Sequence, residues 1–174
     1  MTKFQNHYRI ESARHPHHDY SQTASYFITI CTRFRLHWFG EINNGTMQLS
    51  ELGEVITRNW RNIPEKFPCI TLDNYVVMPD HFHAILHVNN PNTEIMATFP
   101  NQQKGGITGK HNAMLYPTSL GKIIRSFKAE CSKEIRSALN PEFEWLSRYH
   151  DRIIRNQLHL KKCRNYILKN PSSW

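Results

Sequence analysis

The chain has 174 residues, 39% of them hydrophobic, which suits one compact domain with a real core. Its 22 Lys and Arg against 14 Asp and Glu leave a net charge of +8, a balance that favours nucleic acid or another polyanion as partner. Cys31, Cys69, Cys131 and Cys163 are too scattered for a zinc knuckle, a redox motif or a disulfide scaffold, and no apolar run approaches membrane-spanning length.

Residues 1–24 are polar and rich in His and Arg, including His15-Pro16-His17-His18, and read as an N-terminal arm ahead of a domain over 25–174. They hold no apolar stretch suited to a signal peptide, so a reducing cytoplasm is the expected location. Residues 26–32, β-branched and aromatic, predict a strand. Asn43-Asn44-Gly45 sits between two short apolar pieces and predicts a hairpin. Ser50 can cap a helix whose apolar positions are Leu52, Val55, Ile56 and Trp60, with Pro64 and Pro68 marking its end. Residues 70–78 and 81–88 predict two further strands, broken at Pro79-Asp80 by a hairpin turn or a bend. Residues 89–117, rich in Asn, Pro, Gly, Gln and Thr, read as a mobile loop. Within it, 104–110 lacks the spacing of a phosphate-binding loop. Residues 119–139 predict a long amphipathic helix with Leu120, Ile123, Ile124, Phe127, Cys131 and Ile135 as its apolar stripe. A strand at 149–154 and a helix from about 157 to 169 complete the chain. This order predicts an α+β fold: a ferredoxin-like sandwich with an antiparallel sheet and helices packed on it.

Two constellations carry chemistry. On a strand side chains alternate, so His81, His83, Ile85 and His87 share one face while Phe82, Ala84, Leu86 and Val88 form an apolar one. The apolar face should meet helices, which leaves the histidine face to work, with two imidazoles spaced to share a metal ion. In the last helix Lys162, Tyr166 and Asn170 fall one turn apart on one face. That face can offer a phosphate contact, a nucleophile and a metal ligand together. The ordinary alternative is an amphipathic helix with an exposed Tyr and an Asn that ends it.

Together these pieces resemble the HUH-type single-tyrosine transposases of the IS200-like family. The residues that carry the likeness are Tyr75-Val76-Val77-Met78-Pro79-Asp80-His81-Phe82-His83, then Arg148-Tyr149-His150-Asp151-Arg152-Ile153-Ile154-Arg155-Asn156, then Tyr166-Ile167-Leu168-Lys169-Asn170-Pro171. The last segment is most similar to the REP-associated branch, and the likeness spans about 24–171. It implies a ferredoxin-like fold whose C-terminal helix carries the nucleophile, Tyr166. It implies His81 and His83 as metal ligands, with Asn170 where the family has a third polar ligand, and Mg²⁺ or Mn²⁺ as the ion. The implied reaction is attack by Tyr166 on single-stranded or hairpin DNA, giving a 5′-phosphotyrosine link and a free 3′-hydroxyl that can later rejoin strands. Phenols have pKa values of about 10, so such a nucleophile needs help from the ion. Palindromic repeats are the expected target of the REP-associated branch, and the protein is expected to act as a monomer or a homodimer. Lys122, Arg125, Lys128, Arg148, Arg152, Arg155 and Lys162 are the candidate contacts to the DNA backbone.

Other readings remain open at this stage. Tyr149 is a rival nucleophile, and His87 a rival ligand. A former transposase that binds DNA without cutting it, or a replication-initiator or relaxase nickase of the HUH group, would carry related motifs. Amidohydrolases use His-X-His inside a much longer barrel, and cupins follow it with a Glu where this chain has His87.

Overall fold

The structure, a computed structural model, describes residues 18–90 and 118–174 in full, with the backbone of two short paired strands, β1 (Lys3–Phe4) and β2 (His7–Tyr8). The expected loop beyond residue 90, the tract 104–110, His15 to His17 and most of the arm lie outside the described residues.

A four-stranded antiparallel sheet organises the chain. Its strands are β3 (Ala24–Cys31), β6 (Ile70–Met78), β7 (His81–Val88) and β8 (His150–Ile154), in the order β6-β7-β3-β8. Between β3 and β6 comes α1 (Glu51–Arg61), and between β7 and β8 comes α3 (Leu120–Ala138). Strand, helix, strand, strand, helix, strand in that sheet order is the ferredoxin-like arrangement expected from the sequence. The β6–β7 connection is a hairpin, with Met78 paired to His81 across Pro79 and Asp80, which settles the earlier choice between turn and bend.

Local signals explain the elements. β4 (Gly40–Asn43) and β5 (Thr46–Leu49) form the hairpin predicted from Asn43-Asn44-Gly45, and the turn takes positive φ at Asn44 (51°) and Gly45 (73°), as tight two-residue turns require. Ser50 Oγ accepts from Gly53 N at 3.2 Å to cap α1, while Glu51 and Glu54 favour its positive end. Gly53 is needed for close approach: a Cβ there would collide with the Phe39 carbonyl oxygen. The helix stops at Arg61, before Pro64, which instead begins the short α2 (Ile63–Lys66). Ser119 Oγ caps α3 by accepting from Lys122 N.

One sheet face is the main core. Tyr26, Ile28 and Ile30 of β3 and Phe82, Ala84, Leu86 and Val88 of β7 pack on Val55, Ile56 and Trp60 of α1 and on the predicted stripe of α3, all six residues of which are buried. Phe82 is fully buried, with its ring 4.9 Å from Trp60 and 5.7 Å from Phe127 between centroids. The opposite face receives α4 (Gln157–Lys169), capped by Asn156 Oδ1 accepting from His159 N at 2.8 Å. Its stripe of Leu160, Cys163 and Ile167 meets Ile85, Ile154, Phe27 and Val76 in a smaller cluster. The histidine face is therefore half covered, and what covers it is the helix bearing Tyr166.

Candidate active site

His81 and His83 project from β7 beside α4, with ring centroids 4.5 Å apart and both side chains buried. Each imidazole is held by its Nδ1 edge. His81 Nδ1 lies 2.5 Å from Asp80 Oδ1, and the other oxygen of that carboxylate takes Arg35 Nε at 2.7 Å. His83 Nδ1 lies 2.8 Å from Oγ1 of Thr29, its direct cross-strand partner on β3. The tautomer that donates Nδ1–H to these oxygens leaves the Nε2 lone pair free on both rings.

Burial lowers both imidazole pKa values. For His83 the value falls to about 3, burial first and the neighbouring His81 second; for His81 burial outweighs the opposing pull of Asp80. Both rings are thus neutral near pH 7, the form that binds metal. Orientation by a carboxylate or hydroxyl on the far nitrogen is the usual support for a ligating histidine. The donor set fits a divalent cation with two imidazoles and open positions. Among the described residues no third His, Cys, Asp or Glu joins the pair.

Tyr166 completes the cluster. Its hydroxyl lies 3.4 Å from His83 Nε2, the edge left free, and its ring stands edge-on to His83 and to Phe27. The residue is 51% exposed. Asn170 is half-buried at the end of the same helix, where its N–H bonds Ile167 O and its carbonyl accepts from Ser173 N. Among the described residues no hydrogen bond joins its side chain to either imidazole. Trp174 packs its ring 5.7 Å from His81.

The other predicted residues divide by face. Lys162 is exposed on α4, and Arg152 is exposed on β8, paired with Phe27 and therefore on the α4 side of the sheet. Arg148 and Arg155 flank β8, both exposed. Lys122, Arg125 and Lys128 belong to α3, behind the opposite face, so the structure does not bring them to the histidines and Tyr166. Lys128 is half-buried, its Nζ donates to Leu146 O at 2.6 Å, and burial lowers its pKa to about 8. Tyr149 packs against the α1–α3 core, away from the histidine pair. His87 shares the histidine face but is engaged elsewhere. Its Nδ1 accepts from Ser25 Oγ at 2.6 Å and its Nε2–H donates to Asp73 at 3.0 Å.

Asp73 exposes a feature that sequence reasoning missed. Between Leu72 and Tyr75 the β6–β7 register shifts, so Asp73 and Asn74 together oppose one residue of β7. The Asp73 carboxylate, 8% exposed, takes Arg164 of α4 through Nε at 3.0 Å and Nη2 at 2.6 Å besides His87. Hydrogen bonds from Arg164 and His87 outweigh the desolvation that would raise it, and hold its pKa well below the usual carboxylate range. Arg164 lies two residues before Tyr166, so this pair fixes the register of α4 on the sheet. Neither partner has a local signal in the sequence, because they are 91 residues apart.

No family model matches this chain. A search of curated proteins finds an uncharacterized protein of Haemophilus influenzae, 32% identical over 163 residues, 94% of this chain and 88% of that one. Among solved structures, the REP associates tyrosine transposase bound to a REP hairpin superposes with a TM-score of 0.57 at 16% identity, covering 94% of this chain and 74% of that one. The chain belongs to the family of the H. influenzae protein, and it has the fold seen in that transposase.

Proposed function

We propose that this chain is a tyrosine transposase of the HUH, IS200-like type, nearest the REP-associated branch, which cleaves and rejoins single-stranded or hairpin DNA through Tyr166. The observation that carries the reading is the meeting of Tyr166 and His83 at 3.4 Å within one chain, on the sheet face that carries His81 and His83, both held by their Nδ1 edges. The fold shared with a transposase that binds a REP hairpin supports DNA as the substrate class.

His81 and His83 would hold a divalent cation, Mg²⁺ or Mn²⁺, with Asn170 as the expected third ligand. When bound, the cation supplies positive charge against the phosphate oxygens and the developing leaving group. The chain's own parts do the rest. Asp80 and Thr29 hold the imidazoles in the ligating tautomer. Burial keeps the imidazoles neutral. The Asp73–Arg164 pair sets α4 so that the phenol oxygen faces that edge. Arg152, Lys162 and Arg155, all exposed near α4, can hold the phosphates of the strand. The Tyr166 oxygen then forms a bond to phosphorus, the bond from phosphorus to the 3′-oxygen breaks, the phenolic proton passes to solvent and the 3′-oxygen takes one up. The phosphodiester energy is kept in the phosphotyrosine, so a 3′-hydroxyl can reverse the step. A second copy of the chain is not needed to bring nucleophile and histidines together, which favours a working monomer.

The test is a covalent adduct. Labelled hairpin DNA with a single-stranded flank, incubated with Mn²⁺ or Mg²⁺, should yield a protein–DNA band that survives denaturation. Tyr166→Phe should abolish the band, Tyr149→Phe should keep it and EDTA should prevent it. An adduct that persists in Tyr166→Phe removes the nucleophile assignment.

A further inference from the structure

The turn after β3 contains two consecutive left-handed residues that are not glycine, Phe34 (φ 56°) and Arg35 (φ 57°). A bulky side chain rarely tolerates that backbone, and such outliers persist only where the surroundings enforce them. Here the surroundings are specific. Thr32 N and Oγ1 both donate to the Asp80 carbonyl, Arg33 N donates to Glu144 O, and Thr32 pairs with Trp145. The strained turn has two results. It sends the Arg35 guanidinium inward to the carboxylate that orients His81. It also turns the Phe34 ring outward, 77% exposed, the most exposed large hydrophobic among the described residues. The Arg33 guanidinium lies 4.7 Å over that ring.

Folding alone gives no reason for a phenyl ring at this position, since Gly or Asn would make the same turn with less strain. The ring offers a flat, rigid π surface flanked by two arginines, on a chain of net charge +8, one residue from a side chain in the His81 network. An unpaired nucleobase matches the ring, which gives it a π face to stack on, while Arg33 and Arg35 are ion-paired with Glu144 and Asp80 and hold the turn in place. We infer that Phe34 is a stacking platform for an unpaired base of the DNA strand held at the His81–His83–Tyr166 site. This rests on the function proposed above, because it needs single-stranded DNA at that site.

The experiment measures binding of the full chain to fluorescein-labelled hairpin DNA with a single-stranded flank, by anisotropy, without divalent cation so that cleavage is silent. Stacking on one aromatic ring predicts that Phe34→Ala weakens binding by about 5-fold to 150-fold, and that Phe34→Trp restores it. An abasic site walked along the flank should cost the wild type a similar loss at one position and cost Phe34→Ala nothing more there. Phe34→Gly relieves the backbone, so its melting temperature should rise while its affinity falls, which separates the ring's role from stability. Unchanged affinity in Phe34→Ala, or equal abasic losses in both proteins at every position, overturns the inference and leaves the transposase reading standing. If the wild type binds no single-stranded DNA at low salt, both fall together.

Discussion

Thr29→Val tests the orientation of the histidine pair with a change of one atom. Valine matches threonine in shape and suits a strand, but it cannot make the hydrogen bond that joins Thr29 Oγ1 to His83 Nδ1 at 2.8 Å, in which the ligating tautomer is the donor. His83 is 5% exposed, so water cannot replace the lost oxygen. The ring then has two choices. It can keep the proton on Nδ1 with only the Ile28 backbone left to it, at up to about 1–3 kcal/mol, or it can move the proton to Nε2 and surrender the lone pair facing Tyr166. Either way the ligating form loses about 1–3 kcal/mol, or roughly 5- to 150-fold in ion affinity. That range overlaps the roughly 10- to 100-fold cost of removing a partner that orients a metal-bound histidine. Calorimetric titration with Mn²⁺ measures it directly, with Thr29→Ser, which restores the hydroxyl, as the rescue. Melting temperatures close to wild type would show that the fold is intact. Equal Mn²⁺ affinity in wild type and Thr29→Val, or a Thr29→Ser variant as weak as Thr29→Val, would refute the claim that this hydroxyl sets the tautomer.

Further consequences are open to measurement. Asp73→Asn removes the charge that Arg164 and His87 share, and should slow adduct formation far more than it weakens DNA binding; the Asp73→Arg, Arg164→Asp double swap should recover part of the rate, and single and double variants with equal rates would sink the idea. The metal-free protein should lose stability on acidification. His83 takes a proton near pH 6.5 when unfolded but only near pH 3 when folded, so the unfolded chain binds more protons in that window and stability drops as the pH is lowered, by up to about 1.4 kcal/mol per unit. His81 adds in the same direction. His83→Gln should flatten the slope between pH 4 and pH 6.5, as denaturant titrations at each pH would report. Phe82→Ala empties the space against Trp60 and Phe127 and should cost about 3–5 kcal/mol by urea unfolding.

The fold was legible because each layer has its own period. Phe82, Ala84, Leu86 and Val88 alternate with the histidines, and 120, 123, 124, 127, 131 and 135 recur with helical spacing, so both buried faces could be read residue by residue. The histidine pair was legible as one face of its strand, whereas Tyr166 was singled out by the resemblance to the HUH transposases and not by helical spacing. Their supports were not. Thr29 is 54 residues from His83 and becomes its partner only once the β3–β7 register is known. Asp73 reaches α4 because of a register shift that no local pattern announces. Asp80 adjoins His81 in sequence, yet the turn that lets its carboxylate face back onto the imidazole is a property of the hairpin. The basic stripe of α3 carries a different limit. Amphipathicity told which side of the helix is wet, but not that the helix lies behind the sheet from the histidines.

The placement of Tyr166 depends on two unlike interactions. The apolar contact of α4 with the sheet is small, essentially Leu160, Cys163 and Ile167 on Ile85 and Ile154 with flanking Phe27 and Val76. Such a contact is non-directional and would tolerate a slide along the helix axis. One helical residue advances 1.5 Å and turns about 100°, so even a single-residue slip would carry the phenol off the His83 edge. The paired hydrogen bonds of Arg164 to Asp73 are directional and forbid that slip. Because the carboxylate is also tied to His87 and through it to Ser25, the anchor spans β6, β7 and β3, the strands that carry the histidines and Thr29. Nucleophile and imidazoles are thus referenced to one rigid frame, and the register shift at Asp73 is the local irregularity that makes the frame reach the helix.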